Sequence, residues 1–258
     1  VIYVTAGDPN GVGPEIVLRA FRESAVANPF VVVGDTAVLL ACAEHLGIPV
    51  PINSIGTKTA TKENALNVLD VGAMDPSHLT TGQVSSKGGA AAIQYLEAAT
   101  RIVLEGRGDA IVTLPVNKEA VRLAMPGFTG HTEFLATAAG TDRYTMMLAS
   151  ERIAATHVST HVSLSQAIDA VRSDRILDVI HLTHKALSRF IPEPRIAVAG
   201  LNPHSGEGGA FGSEDMSEIG PAVERARSSG LLVDGPVAPD TVFVRAVSGT
   251  YDAVVCMY

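Results

Sequence analysis

Cysteine is scarce: Cys42 and Cys256 stand far apart in 258 residues, without C-x-x-C spacing. That excludes a disulfide framework and a zinc ribbon, and it suggests a reducing cytoplasm. Runs of lysine or arginine are missing too, and the formal net charge is −8. Binding to nucleic acid or an anionic membrane needs grouped cations, so neither partner is expected. No apolar run approaches the ~20 residues of a membrane-spanning helix. No fixed-period repeat and no low-complexity linker occurs. Three motifs are also absent: G-x-G-x-x-G, the nucleophile elbow G-x-S-x-G and H-E-x-x-H. A Rossmann fingerprint and two common hydrolytic frameworks therefore drop out, and any dinucleotide site must be of another kind.

What is present is an alternation. Apolar runs at 1–5, 30–33, 109–114, 153–162 and 195–200 are each followed by a polar or glycine-rich turn, most of them leading into a helical pattern. Pro14 with Glu15 beside it marks a helix start after the first run. Ser163 and Gln166 have the spacing of a capping box after the fourth. Short, nearly continuous apolar strands alternating with helices predict an α/β fold with a largely parallel sheet. The apolar fraction of 47% suits one large core or two lobes. The chain opens inside an apolar run without an initiator methionine, and it closes on another at 251–258. A parallel strand normally leads on into a loop and helix, so a longer protein is expected.

In parallel sheets ligands sit beyond the carboxyl ends of the strands, so the residues there are the candidates. His161 and His204 each fall at or just past a predicted strand end, where two imidazoles can share a divalent metal or cap a backbone group. His157 and His161 have the i, i+4 spacing of a helical ligand pair. However, Val158, Thr160 and Val162 favour a strand, which would set the two side chains ~13 Å apart. His157 is therefore set aside. His181 and His184 fall on an amphipathic helix and read as solvated, while His45 and His78 have no evident partner. His131 and Thr132 follow a flexible glycine-bearing loop, with Thr132 as the expected N-cap of a helix whose free N–H groups attract anions. Gly7, Gly11 and Gly13 allow a tight turn beside a helix start. Asn117 and Lys118 follow the third run and either bind substrate or tie down their loop.

These segments together resemble the PdxA family. The matching stretches are GDPNGVGPE at 7–15, LPVNKEA at 114–120, GHTEF at 130–134, THVSL at 160–164, GLNPHSGEGG at 200–209 and GPVAPDT at 235–241. They occur in the family's order along nearly the whole chain, read here as one PdxA-like unit over 1–258 that lacks its C-terminal part. The resemblance implies an isocitrate/isopropylmalate-dehydrogenase-like fold: two α/β lobes with a cleft between them, their boundary not resolved from sequence, in a homodimer. It also places His131 and Thr132 on the substrate-binding pair. It places His161 and His204 on two of three metal-binding histidines, the third being expected just after Tyr258. The turn at Gly11 and Gly13 is similar to the one used for NAD or NADP in the wider group.

The implied function belongs to pyridoxine biosynthesis. It is the NAD(P)-dependent oxidation, with decarboxylation, of 4-hydroxythreonine 4-phosphate or a similar four-carbon hydroxy-acid phosphate. The reaction is assisted by a divalent ion such as zinc, cobalt, magnesium or manganese. D-threonate or D-erythronate 4-phosphate is the alternative substrate within the family, and an aromatic dihydrodiol is a further one. A metal-dependent hydrolase and a phosphate-metabolite binding protein are the readings from other classes.

Overall fold

A computed structural model describes residues 1–56 and 61–258. The chain divides into two compact units, Val1–Gly140 and Thr141–Tyr258.

The first unit is built on a parallel sheet. Its strands are β1 (Ile2–Thr5), β2 (Phe30–Gly34), β3 (Ile52–Ile55), β4 (Leu66–Asp70) and β5 (Ala110–Thr113), in the order β3-β4-β2-β1-β5. Its helices are α1 (Gly13–Arg22), α2 (Thr36–Leu46), α3 (Ser86–Leu104), α4 (Lys118–Ala124) and α5 (His131–Ala138). The branched residues Val31, Val32 and Val33 of β2 are buried because helices cover both faces of a parallel sheet. Leu18, Leu39 and Leu66 are fully buried in the same core, each contributing roughly 1.5–3 kcal/mol. One polar knot lies inside it. The buried Asp35 carboxylate accepts hydrogen bonds from the Ala73 and Met74 N–H groups and from the Tyr95 hydroxyl, at 2.7–2.8 Å. It thereby stitches α3 to the segment after β4, and burial and the Asp35 charge hold the Tyr95 phenol above its usual pKa.

The second unit has β6 (Met147–Ala149), β7 (Ala154–His157), β8 (Ile196–Ala199), β9 (Val233–Val237) and β10 (Ala253–Cys256), in the order β6-β7-β10-β8-β9. Only the β6–β7 pairing is antiparallel among the described strands. Its helices are α6 (Leu164–Ala170), α7 (Ser173–Leu187), α8 (Gly220–Ser228) and α9 (Pro239–Val247). All four residues of β10 are buried, as a strand flanked on both sides requires. No described helix is long and apolar enough to cross a membrane.

Two sequence expectations need correction. The strand expected over 153–162 ends at His157. Val158 and Ser159 still donate to the Cys256 and Met257 carbonyls, but His161 adopts a left-handed backbone (φ 57°) that turns the chain toward α6. The capping box of Ser163 and Gln166 is formed there, so the helix start competes with any longer strand. The ~13 Å spacing inferred for His157 and His161 presupposed an extended chain throughout, and it no longer holds. The second correction concerns α5, whose N-cap is Gly130; Thr132 lies within its first turn.

Candidate active site

In the first unit, β1 and β5 are neighbours and deliver their following turns to one edge. The turns are locked together: the Asp8 N–H donates to the Pro115 carbonyl at 3.0 Å. Gly7 makes this approach possible, with φ +72° and a position where a Cβ would stand 2.4 Å from that same oxygen. The buried Asp8 carboxylate accepts from the Asn10 N–H at 2.9 Å. Burial pushes its pKa up, against the hydrogen bonds from the Asn10 and Asn117 backbone. Asn10 in turn donates to Ser85 Oγ, the N-cap of α3, and accepts from the Thr80 N–H.

Asn117 caps α4 by accepting from the Ala120 N–H at 3.0 Å, which places exposed Lys118 at the first helical position. His131 opens α5 half-buried, its ring edge-on to Phe128 at 6.3 Å between centroids. Burial first, and the Lys118 charge second, hold the His131 imidazole below its ordinary pKa. A histidine depressed in the folded state binds its proton more readily when unfolded. Stability is therefore lost as pH falls below about 6.5, the unfolded value. Denaturation midpoints measured across pH 5–8 will show His131→Gln losing less stability than the wild type on the acid side. Parallel curves would contradict the assignment.

The two glycines expected at a cofactor differ in setting. Gly13 is buried, and a Cβ there would lie 2.1 Å from the Ala6 carbonyl oxygen, so its absence of side chain serves helix-to-strand packing. Gly11 is exposed and borders a cavity of about 220 Å³ lined in part by Pro9, Pro14, Glu15, Cys42 and His45. That volume is below the range of ordinary small-ligand pockets, so at most one end of a dinucleotide fits. Burial raises the thiol pKa of Cys42, and that of Cys256 to about 11, so both stay protonated at neutral pH.

In the second unit, β7 and β8 flank β10, and their carboxyl ends open on one edge. His161 follows β7 and His204 follows β8, both exposed and both on left-handed backbone. The left-handed conformation continues from His204 through Gly208, and the buried Asp215 carboxylate steadies the base of this loop. It accepts from the Leu201 N–H (3.0 Å), the Asn202 N–H (3.1 Å) and Asn202 Nδ2 (2.9 Å). Gly200 lets it approach, since a Cβ there would meet Asp215 Oδ1 at 2.6 Å. Sequence reasoning missed Asp215 because nothing in its spacing from His204 forms a motif. Asp215→Ala leaves the part-buried Leu201 and Asn202 N–H groups unpaired and will lower unfolding stability by about 1–3 kcal/mol. Urea titration checks this, and an unchanged midpoint would sink the anchoring role.

His157 ends β7 beside Cys256, and its Nδ1 is buried without a hydrogen-bond partner among the described residues. His181 and His184 lie half-buried on α7. Among the described residues no three His, Cys, Asp or Glu side chains gather as a metal site. His161 and His204 are two accessible imidazole donors of the kind a divalent ion takes, though tetrahedral sites use three or four ligands.

Residues 25–258 match the family described as pyridoxal phosphate biosynthetic protein PdxA. The chain belongs to the PdxA family. Among its relatives is a putative D-threonate 4-phosphate dehydrogenase of Oceanobacillus iheyensis, 40% identical over 269 residues that cover 100% of this chain and 80% of that protein. A 4-hydroxythreonine-4-phosphate dehydrogenase of Geobacter metallireducens is 40% identical over 262 residues, covering 100% and 77%. The crystal structure of a 4-hydroxythreonine-4-phosphate dehydrogenase from Klebsiella pneumoniae superposes with a TM-score of 0.90 at 40% identity, covering 100% of this chain and 81% of that one. The PdxA-family chain thus has the isocitrate/isopropylmalate-dehydrogenase-like α/β fold, with two mainly parallel sheets.

Proposed function

We propose that this chain is a nicotinamide-linked, divalent-metal-dependent dehydrogenase. It oxidises 4-hydroxythreonine 4-phosphate, or the closely similar D-threonate or D-erythronate 4-phosphate, and the product loses CO2. The observation that carries the reading is PdxA-family membership, with relatives bearing two such dehydrogenase names aligned over the whole chain.

In this reading His161 and His204 would hold the ion, together with the histidine that the family resemblance places after Tyr258. The first-turn position of His131 and Thr132 on α5 suits them to orient the anionic end of the substrate. Gly11 would help hold the nicotinamide cofactor, NAD or NADP, and the enzyme works as a homodimer. When bound, the ion would lower the pKa of the substrate hydroxyl and the nicotinamide would take up its hydride. The chain's own contribution is positioning: His131 and Thr132 fix the anionic end of a short substrate.

Chelation tests the reading. Treating the protein with a strong chelator will abolish nicotinamide reduction, and adding back a divalent ion will restore it in proportion to the metal bound. Full activity of metal-free protein would overturn the metal assignment.

A further inference from the structure

We propose that Lys118 is a substrate-binding residue, the cation that joins His131 in receiving the phosphate group. The inference rests on the proposed role of His131, and it adds a residue whose sequence context left it open between substrate contact and loop anchor.

Lys118 is held in place by its neighbours. Asn117 fixes the start of α4, and Arg122, one turn on, donates from Nε to the Phe128 carbonyl at 3.0 Å. Val121 and Phe128 belong to one buried apolar cluster, with Phe134 and Leu135 packed against it. This cluster clamps α4 to the segment that opens α5, and Phe128 meets His131 edge-on. The beginnings of α4 and α5, carrying Lys118 and His131, are therefore parts of one rigid assembly.

The charge of Lys118 is uncompensated. It forms no ion pair among the described residues, although Glu119 follows it directly. Second to burial, its charge disfavours the His131 imidazolium. Lys118 thereby adds to the cost of protonating His131 in the empty protein. A phosphate dianion reverses that cost by offsetting both, and lysine serves such a group as a point charge on a flexible stem. Because Lys118 is exposed, its replacement removes charge without opening the core.

The experiment follows the His131 imidazole by NMR, its signal assigned with His131→Gln, in wild type, Lys118→Gln and Lys118→Arg, with inorganic phosphate as the probe. Without phosphate, Lys118→Gln will raise the His131 pKa and Lys118→Arg will not. Phosphate will raise the His131 pKa in wild type. Its affinity will fall about tenfold or more in Lys118→Gln and be largely kept in Lys118→Arg, as expected for one charge-assisted contact. If phosphate titrates His131 equally well in Lys118→Gln, the Lys118 assignment is overturned while the role of His131 stands. If phosphate leaves His131 unmoved in wild type, both fall together.

Discussion

Replacing either His161 or His204 with alanine will lower kcat/KM by at least about a thousandfold. Lewis-acid polarisation supplies several kcal/mol of barrier reduction, and each 1.36 kcal/mol is tenfold in rate. Both side chains are exposed at the mouth of the second unit's sheet, so truncation opens no cavity and the fold will persist. His204 carries a second consequence. Its left-handed backbone sits in a loop braced by Asp215, so the loop stays formed when the imidazole is gone. The loss will therefore appear in metal content before it appears in stability. Metal analysis of the purified variants, beside circular dichroism and steady-state kinetics, checks this. Variants that bind metal and turn over normally would remove both histidines from the site.

Removing the phosphate from the substrate will cost at least about a hundredfold in kcat/KM. Two charge-assisted hydrogen bonds, each about 1.5–3 kcal/mol, are forfeited. The loss will fall on kcat as well as KM, because binding energy at the remote anionic end is what holds the hydroxyl in position. Thr132→Val will narrow the gap between phosphorylated and unphosphorylated acids. It deletes a hydroxyl from the first turn of α5 with little change in volume, and it leaves the backbone N–H groups in place. Equal kcat/KM for the two acids would move the reading toward an unphosphorylated sugar acid or a dihydrodiol.

The parallel α/β architecture was legible because its strands are short uninterrupted apolar runs, and β1, β2, β5, β8 and β10 fall within a residue or two of where those runs lie. The capping box at Ser163 and Gln166 was legible because two side chains three residues apart suffice to define it. Strands β3 and β6 were harder to read. Asn53 and Ser54 interrupt β3, and β6 spans only three residues, so neither yields a periodic signal. The end of β7 was misjudged because Val158, Thr160 and Val162 favour extended backbone, whereas the left-handed turn at His161 is set by tertiary context. Gly130 took the cap expected of Thr132 with no side-chain bond at all, a geometry that composition does not announce. Asp215, the buried carboxylate that steadies the loop after β8, becomes visible only when backbone donors from 13 and 14 residues away are brought to it.

The most direct test of the central claim incubates the metal-replete protein with NAD or NADP and either 4-hydroxythreonine 4-phosphate or D-threonate 4-phosphate. Two products are followed together: reduced nicotinamide by its near-ultraviolet absorbance, and inorganic phosphate by a colour reaction. A dehydrogenase will reduce nicotinamide in step with CO2 release and will leave the phosphate ester intact. Phosphate release without any nicotinamide reduction would contradict the account and point to a metal-dependent hydrolase.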